Sequence, residues 1–174
     1  IEWQGFRTFS GRQPTMLTTL LFTDLVESTS TVARLGDAAW RDVLARHYAS
    51  IRAELDRSGG REVKTTGDGM LALFDVPASA VRCAAAIRDA ANRQDLHIRA
   101  GIHVGEVQVV GDNVEGLAVH EAARVMAAAG MDELLVSEST RALAVAAGVT
   151  FEDRGVHTLK GIPGDRRLFA AVER

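Results

Sequence analysis

Leu17-Thr-Thr-Leu-Leu-Phe-Thr-Asp-Leu25, continuing as Val-Glu-Ser-Thr29, is the stretch on which the fold turns. Residues 17–22 form a short, nearly unbroken apolar run rich in Leu and Thr, the pattern of a strand buried on both faces. Asp24 sits at its end. A helical period follows, with Asp37 as N-cap, Trp40, Val43, Leu44, Ile51 and Leu55 on one face, and Ser58-Gly-Gly60 as the stop. Two strand-like runs, 61–66 and 70–74, are joined by Gly67-Asp-Gly69, a strong hairpin turn. Pro77 opens a second helix reaching about Asn92, and 98–104 and 107–110 read as strands. A polar loop, Gly111-Asp-Asn-Val-Glu-Gly116, precedes an Ala-rich helix over 117–129. The tail supplies a strand at 134–136, a helix at 138–147, and short strands at 149–152 and 167–172.

The order βαββαβ through Val104 predicts an α+β, ferredoxin-like core with a C-terminal α/β extension. In that topology the third strand returns antiparallel beside the first. The end of the first strand therefore lies against the hairpin tip, and Asp24 meets Asp68. Taken singly, Asp24 reads as a helix cap and Asp68 as a turn residue. Together they form two like charges whose repulsion a bound Mg²⁺ or Mn²⁺ relieves, and a pair of divalent cations handles a nucleoside triphosphate. The amides of Glu27, Ser28 and Thr29, where the next helix starts, are placed to receive phosphate oxygens.

Bulk properties agree with one globular domain. The chain has 174 residues, 47% of them hydrophobic. Residues 1–16 read as a loosely ordered lead-in and 17–174 as the domain. A net charge of −3 and 5% aromatic content give neither the basic footprint of a nucleic-acid binder nor the stacking platform of an RNA-binding ferredoxin-like module. The single cysteine, Cys83, excludes an internal disulfide and lies in an Ala-rich run that buries it. No apolar run approaches the ~20 residues of a membrane span, and no signal-peptide pattern is visible, so a reducing cytoplasmic setting is expected. The histidines His47, His97, His103 and His157 lack metal-ligand spacing and read as structural or surface residues.

Five motifs in order resemble the class III nucleotidyl cyclase catalytic domain, which makes cyclic AMP or cyclic GMP. They are Phe22-Thr-Asp-Leu-Val-Glu-Ser-Thr29, Lys64-Thr-Thr-Gly-Asp68, Ala100-Gly-Ile-His-Val-Gly105, Gly116-Leu-Ala-Val-His-Glu-Ala-Ala-Arg124 and Leu159-Lys-Gly161. The resemblance covers 17–172 and implies a head-to-tail homodimer with active sites shared between chains. It implies that Asp24, Asp68 and the carbonyl of Leu25 hold two Mg²⁺ or Mn²⁺ ions. Amides of Glu27, Ser28 and Thr29 would cradle the β- and γ-phosphates, with Lys160 on the terminal phosphates. Lys64 and Arg124 would come from the partner chain, Arg124 on the α-phosphate in the transition state. The ribose 3′-oxygen would attack the α-phosphorus and expel pyrophosphate.

Two positions depart from the family pattern. Its adenine-reading Asp falls on Asn113, with Asp112 beside it, and its ribose-steadying Asn is replaced by His120. A protonated Lys64 donates to adenine N1 or guanine O6, whereas Asn113 both accepts and donates, so ATP is the favoured substrate and GTP the second. His120 predicts modest turnover with unusual pH dependence. The runner-up is a regulatory pseudo-cyclase that binds nucleotide without turning it over. A diguanylate cyclase is disfavoured because no Gly-Gly-Asp/Glu-Glu-Phe stretch occurs.

Overall fold

The computed structural model describes residues 14–173, so most of the expected lead-in lies outside the described residues. The elements run β1 (Thr15–Leu25), α1 (Ser28–Leu35), α2 (Asp37–Ser58), β2 (Arg61–Thr66), β3 (Gly69–Phe74), α3 (Pro77–Asn92) and β4 (Ile98–Val110). There follow β5 (Asn113–Glu115), α4 (Leu117–Ala128), β6 (Leu134–Ser137), α5 (Glu138–Val145), β7 (Phe151–Thr158) and β8 (Asp165–Ala171). The strands form one sheet in the order β2-β3-β1-β4-β6-β8-β7, with β5 paired to β4. Its first four strands have the expected ferredoxin-like order, and β6, β8 and β7 are the extension. No helix among the described residues is long and apolar enough to cross a membrane.

β1 is central, antiparallel to β3 from Thr19↔Phe74 to Thr23↔Met70 and to β4 along its whole length. Residues 18–23 are all buried, which explains why the run shows no polar alternation. Leu21, Leu25, Phe74 and Ile102 face a core closed by α2, α3 and α5, including Ile51, Leu55, Ile87 and Ala144. On the other face Leu20, Phe22, Leu71 and Leu73 pack under α4 through Ala118 and Ala122. A third cluster, with Val125, Leu135, Leu159 and Leu168, ties α4 to the extension.

Several sequence expectations need correction. β1 starts at Thr15, inside the expected lead-in, and runs through Asp24 to Leu25 because β4 pairs with every residue of it. The two strands expected at 98–104 and 107–110 are one. Gly105 sits within β4, where a Cβ would collide with Ala118 of α4, so its role is close packing and not a break. Asp37 is the first residue of α2 and Gly36 its cap, and a separate short helix, α1, precedes it. The polar loop at 111–116 folds back as a hairpin, with β5 on β4. β7 extends over eight residues, much longer than the expected strand; its outer-edge position leaves most of its side chains exposed, so no apolar period marks it.

Candidate active site

The end of β1 and the β2–β3 turn meet as the topology requires. Gly69 lies so close to the Thr23 carbonyl that a Cβ there would collide with it, which seats the hairpin tip against Asp24. The Asp68 carboxyl is pushed up to about 6, first by burial and then by its hydrogen bond to Asp24; the Ser28 hydroxyl opposes the shift. Asp24, Asp68 and Ser28 thus form one cluster. Two carboxylates this close share a proton unless a cation replaces it. Among the described residues there is no group of three His, Cys, Asp or Glu suited to a metal. The donor set is two hard carboxylates with the Leu25 backbone beside them. That set fits Mg²⁺ or Mn²⁺, which complete their shells with water and substrate phosphates.

The sequence reading missed Arg99. It stands on β4 opposite Asp24, and its Nη2 lies 3.0 Å from Asp24 Oδ2. Its other nitrogen donates to the Ala127 carbonyl at 3.3 Å, tying β4 to the end of α4. The β1/β4 register could have exposed it, since Asp24 pairs with Arg99, but an isolated arginine in a strand carries no signal in the sequence. Arg99 also lines an open cleft of about 330 Å³ with Leu25, Val26, Glu27 and residues 129–131.

The turn from β1 into α1 has an unusual backbone. Glu27 adopts a left-handed conformation, φ 62° and ψ 27°, uncommon for a non-glycine residue. Its carbonyl accepts from the Ser30 hydroxyl at 2.9 Å and the Thr31 hydroxyl at 3.2 Å. Among the described residues no side-chain hydrogen bond caps α1, which leaves its first-turn amides without a side-chain partner.

The remaining candidates lie on other elements. Lys64 pairs with Leu71, which pairs with Phe22, so Lys64 lies two strands, about 10 Å, to the side of β1. Asn113 lies on β5, and its Oδ1 accepts from the Val114 amide at 2.9 Å. Asp112 is exposed in the adjoining turn. His120 and Arg124 are on α4. His120 Nε2 lies 3.1 Å from the carbonyl oxygen of Lys160, so the structure brings His120 and the Lys160 turn together.

The rotation of α4 is fixed by its buried Glu121. Arg166 Nε donates to Glu121 Oε1 at 2.7 Å, and His103 Nε2 lies 3.2 Å from Oε2. His103 Nδ1 meets the Ser137 hydroxyl at 2.7 Å. Burial lowers the His103 pKa against the opposing pull of Glu121. This polar cluster crosses β4, α4, β6 and β8 and sets where His120 and Arg124 point. The structural reading of His103 agrees with it.

With fold and site in view, the comparisons converge. Residues 12–171 match the model of the adenylate and guanylate cyclase catalytic domain. The chain belongs to that family. An uncharacterised protein of Mycobacterium tuberculosis is 31% identical over 122 residues, 69% of this chain and 32% of that protein. The chain spans about a third of the length of that relative. Among solved structures, the adenylyl cyclase CyaB from P. aeruginosa superposes with a TM-score of 0.84 at 22% identity, covering 92% of this chain and 96% of that one. The guanylate cyclase domain of RhGC from Catenaria anguillulae, in complex with GTP, superposes with a TM-score of 0.82 at 21% identity, covering 91% and 97%. These likenesses establish the fold, and they include both adenylyl and guanylyl cyclases.

Proposed function

We propose that the domain is an adenylate cyclase converting ATP to 3′,5′-cyclic AMP and pyrophosphate at sites shared between two copies of the chain. The observation that carries this reading is the Asp24–Asp68 pair, with its raised Asp68 carboxyl, beside the uncapped start of α1. Asp24, Asp68 and the Leu25 carbonyl would hold two divalent cations, Mg²⁺ or Mn²⁺. Such cations, when bound, neutralise phosphoryl charge and lower the pKa of the ribose 3′-hydroxyl. The chain's own groups do the rest. Amides of Glu27, Ser28 and Thr29 receive β- and γ-phosphate oxygens. Arg99, released from Asp24, turns its guanidinium to the phosphates, and Lys160 meets their outer end. From the partner copy, Arg124 sits on the α-phosphate as charge builds and Lys64 reads the base edge.

Base choice rests on Lys64 and Asn113. Asn113 spends one lone pair of its carbonyl on the Val114 amide, leaving a second lone pair and an NH₂ donor. That pattern tolerates adenine and also admits guanine, so ATP leads and GTP follows. The domain works in the cytoplasm, where these nucleotides are found.

A pseudo-cyclase is the second reading, favoured by His120, whose Nε2 is spent on the Lys160 carbonyl. Mixing separately inactive Asp24→Ala and Lys64→Ala chains tests the shared-site enzyme. Each heterodimer then holds one intact site, and cyclic nucleotide production returns. No recovery overturns the shared-site reading.

A further inference from the structure

The Gly67-Asp68-Gly69 tip has two glycines and little backbone restraint of its own, yet a metal-binding carboxylate must be held within a fraction of an ångström. The restraint comes from α2. The Tyr48 hydroxyl lies 2.7 Å from the Gly67 carbonyl oxygen and 3.1 Å from that of Gly69, sharing its single proton between the two carbonyls that flank Asp68. The Arg52 guanidinium stacks 5.5 Å from the centre of the Tyr48 ring. Arg52 also makes a two-point contact with Glu62 on β2, at 3.0 and 2.9 Å. Helix α2 thus grips the hairpin at both its base and its tip.

We infer that Tyr48 is a positioning residue, whose hydroxyl fixes the Gly67–Gly69 carbonyls so that Asp68 stands opposite Asp24 for divalent-cation binding. This rests on the cyclase reading, since it concerns the same carboxylate pair. Groups that orient a metal ligand without touching the metal are worth about 10–100-fold in metal affinity. A purely structural tyrosine would instead cost stability and leave metal binding alone.

The test is Tyr48→Phe, which keeps the ring under Arg52 and removes only the hydroxyl. Its melting temperature is expected to fall by no more than about 2–4 °C, the loss of one exposed hydrogen bond. Mn²⁺ binding with α,β-methylene-ATP present is read by the electron paramagnetic resonance of free Mn²⁺, and is expected to weaken about tenfold. Amide exchange at residues 67–69 should quicken. Wild-type and Asp68→Asn proteins run beside it. If wild type binds no Mn²⁺, the cyclase reading fails. If wild type binds and Tyr48→Phe binds equally well, the positioning inference is overturned. Should Tyr48→Phe not fold, the wild-type chain labelled with 3-fluorotyrosine replaces it, because Tyr48 is its only tyrosine. The single fluorine resonance is expected to shift when Mg²⁺ and the analogue bind, and an unmoved resonance overturns the proposal.

Discussion

Replacing Asp68 by Asn is predicted to stabilise the metal-free protein at pH 8 while abolishing cation binding. The Asp68 carboxyl titrates at about 6 in the fold against 3.8 for an ordinary aspartate. Two units at about 1.4 kcal/mol each set a ceiling near 3 kcal/mol. Asp68 is only partly buried, so solvent screening leaves about 1 kcal/mol. The sign follows from the raised folded value. The native state binds the proton more tightly than the unfolded chain, so the penalty is absent below pH 3.8 and complete above about 6. Asp24 keeps its Arg99 partner in the variant, so no new unpaired charge appears. Thermal unfolding in EDTA should show Asp68→Asn about 2–4 °C above wild type at pH 8, the difference vanishing by pH 4. With Mg²⁺ and a non-reacting nucleotide, wild type should gain stability and the variant should not. An Asn variant no more stable at pH 8, or a gain independent of pH, refutes the strained-pair argument.

Arg99→Met should cost about 10–100-fold in kcat/KM, the worth of one charge-assisted hydrogen bond, and unchanged steady-state kinetics would remove Arg99 from the site. Burial lowers His47 from 6.5 to about 4, and neither of its ring nitrogens has a hydrogen-bond partner among the described residues. Its neutral form is what folds, so stability should fall as pH drops from 6.5 toward 4, by up to about 3 kcal/mol. Urea titrations across that window should show a shallower slope for His47→Leu; an equal slope contradicts this. His120→Asn should raise turnover, and a variant no faster than wild type between about pH 6 and 9 sinks the assignment of modest turnover to His120.

The site's central pair was legible because topology, not local propensity, joins Asp24 to Asp68. An apolar run, a glycine-bounded turn and the βαββ order suffice to bring them together. Arg99 was illegible for the opposite reason: its meaning depends on a strand register that no local pattern encodes. Tyr48 likewise reads as one more residue of an amphipathic helix until the hairpin carbonyls are in place. Most of the length of β7, and the β5 hairpin, escaped because edge strands keep polar side chains in water and show no apolar period. The contact of His120 with the Lys160 carbonyl was illegible too, because it joins α4 to a turn distant in sequence.

Product analysis tests the central claim most directly. The purified protein is incubated with ATP or GTP in Mn²⁺ and then in Mg²⁺, beside an Asp24→Ala control. The account predicts cyclic AMP from ATP, less cyclic product from GTP, and neither from the control. A folded, nucleotide-binding protein that makes no cyclic product from either nucleotide contradicts it and leaves a signalling pseudo-cyclase.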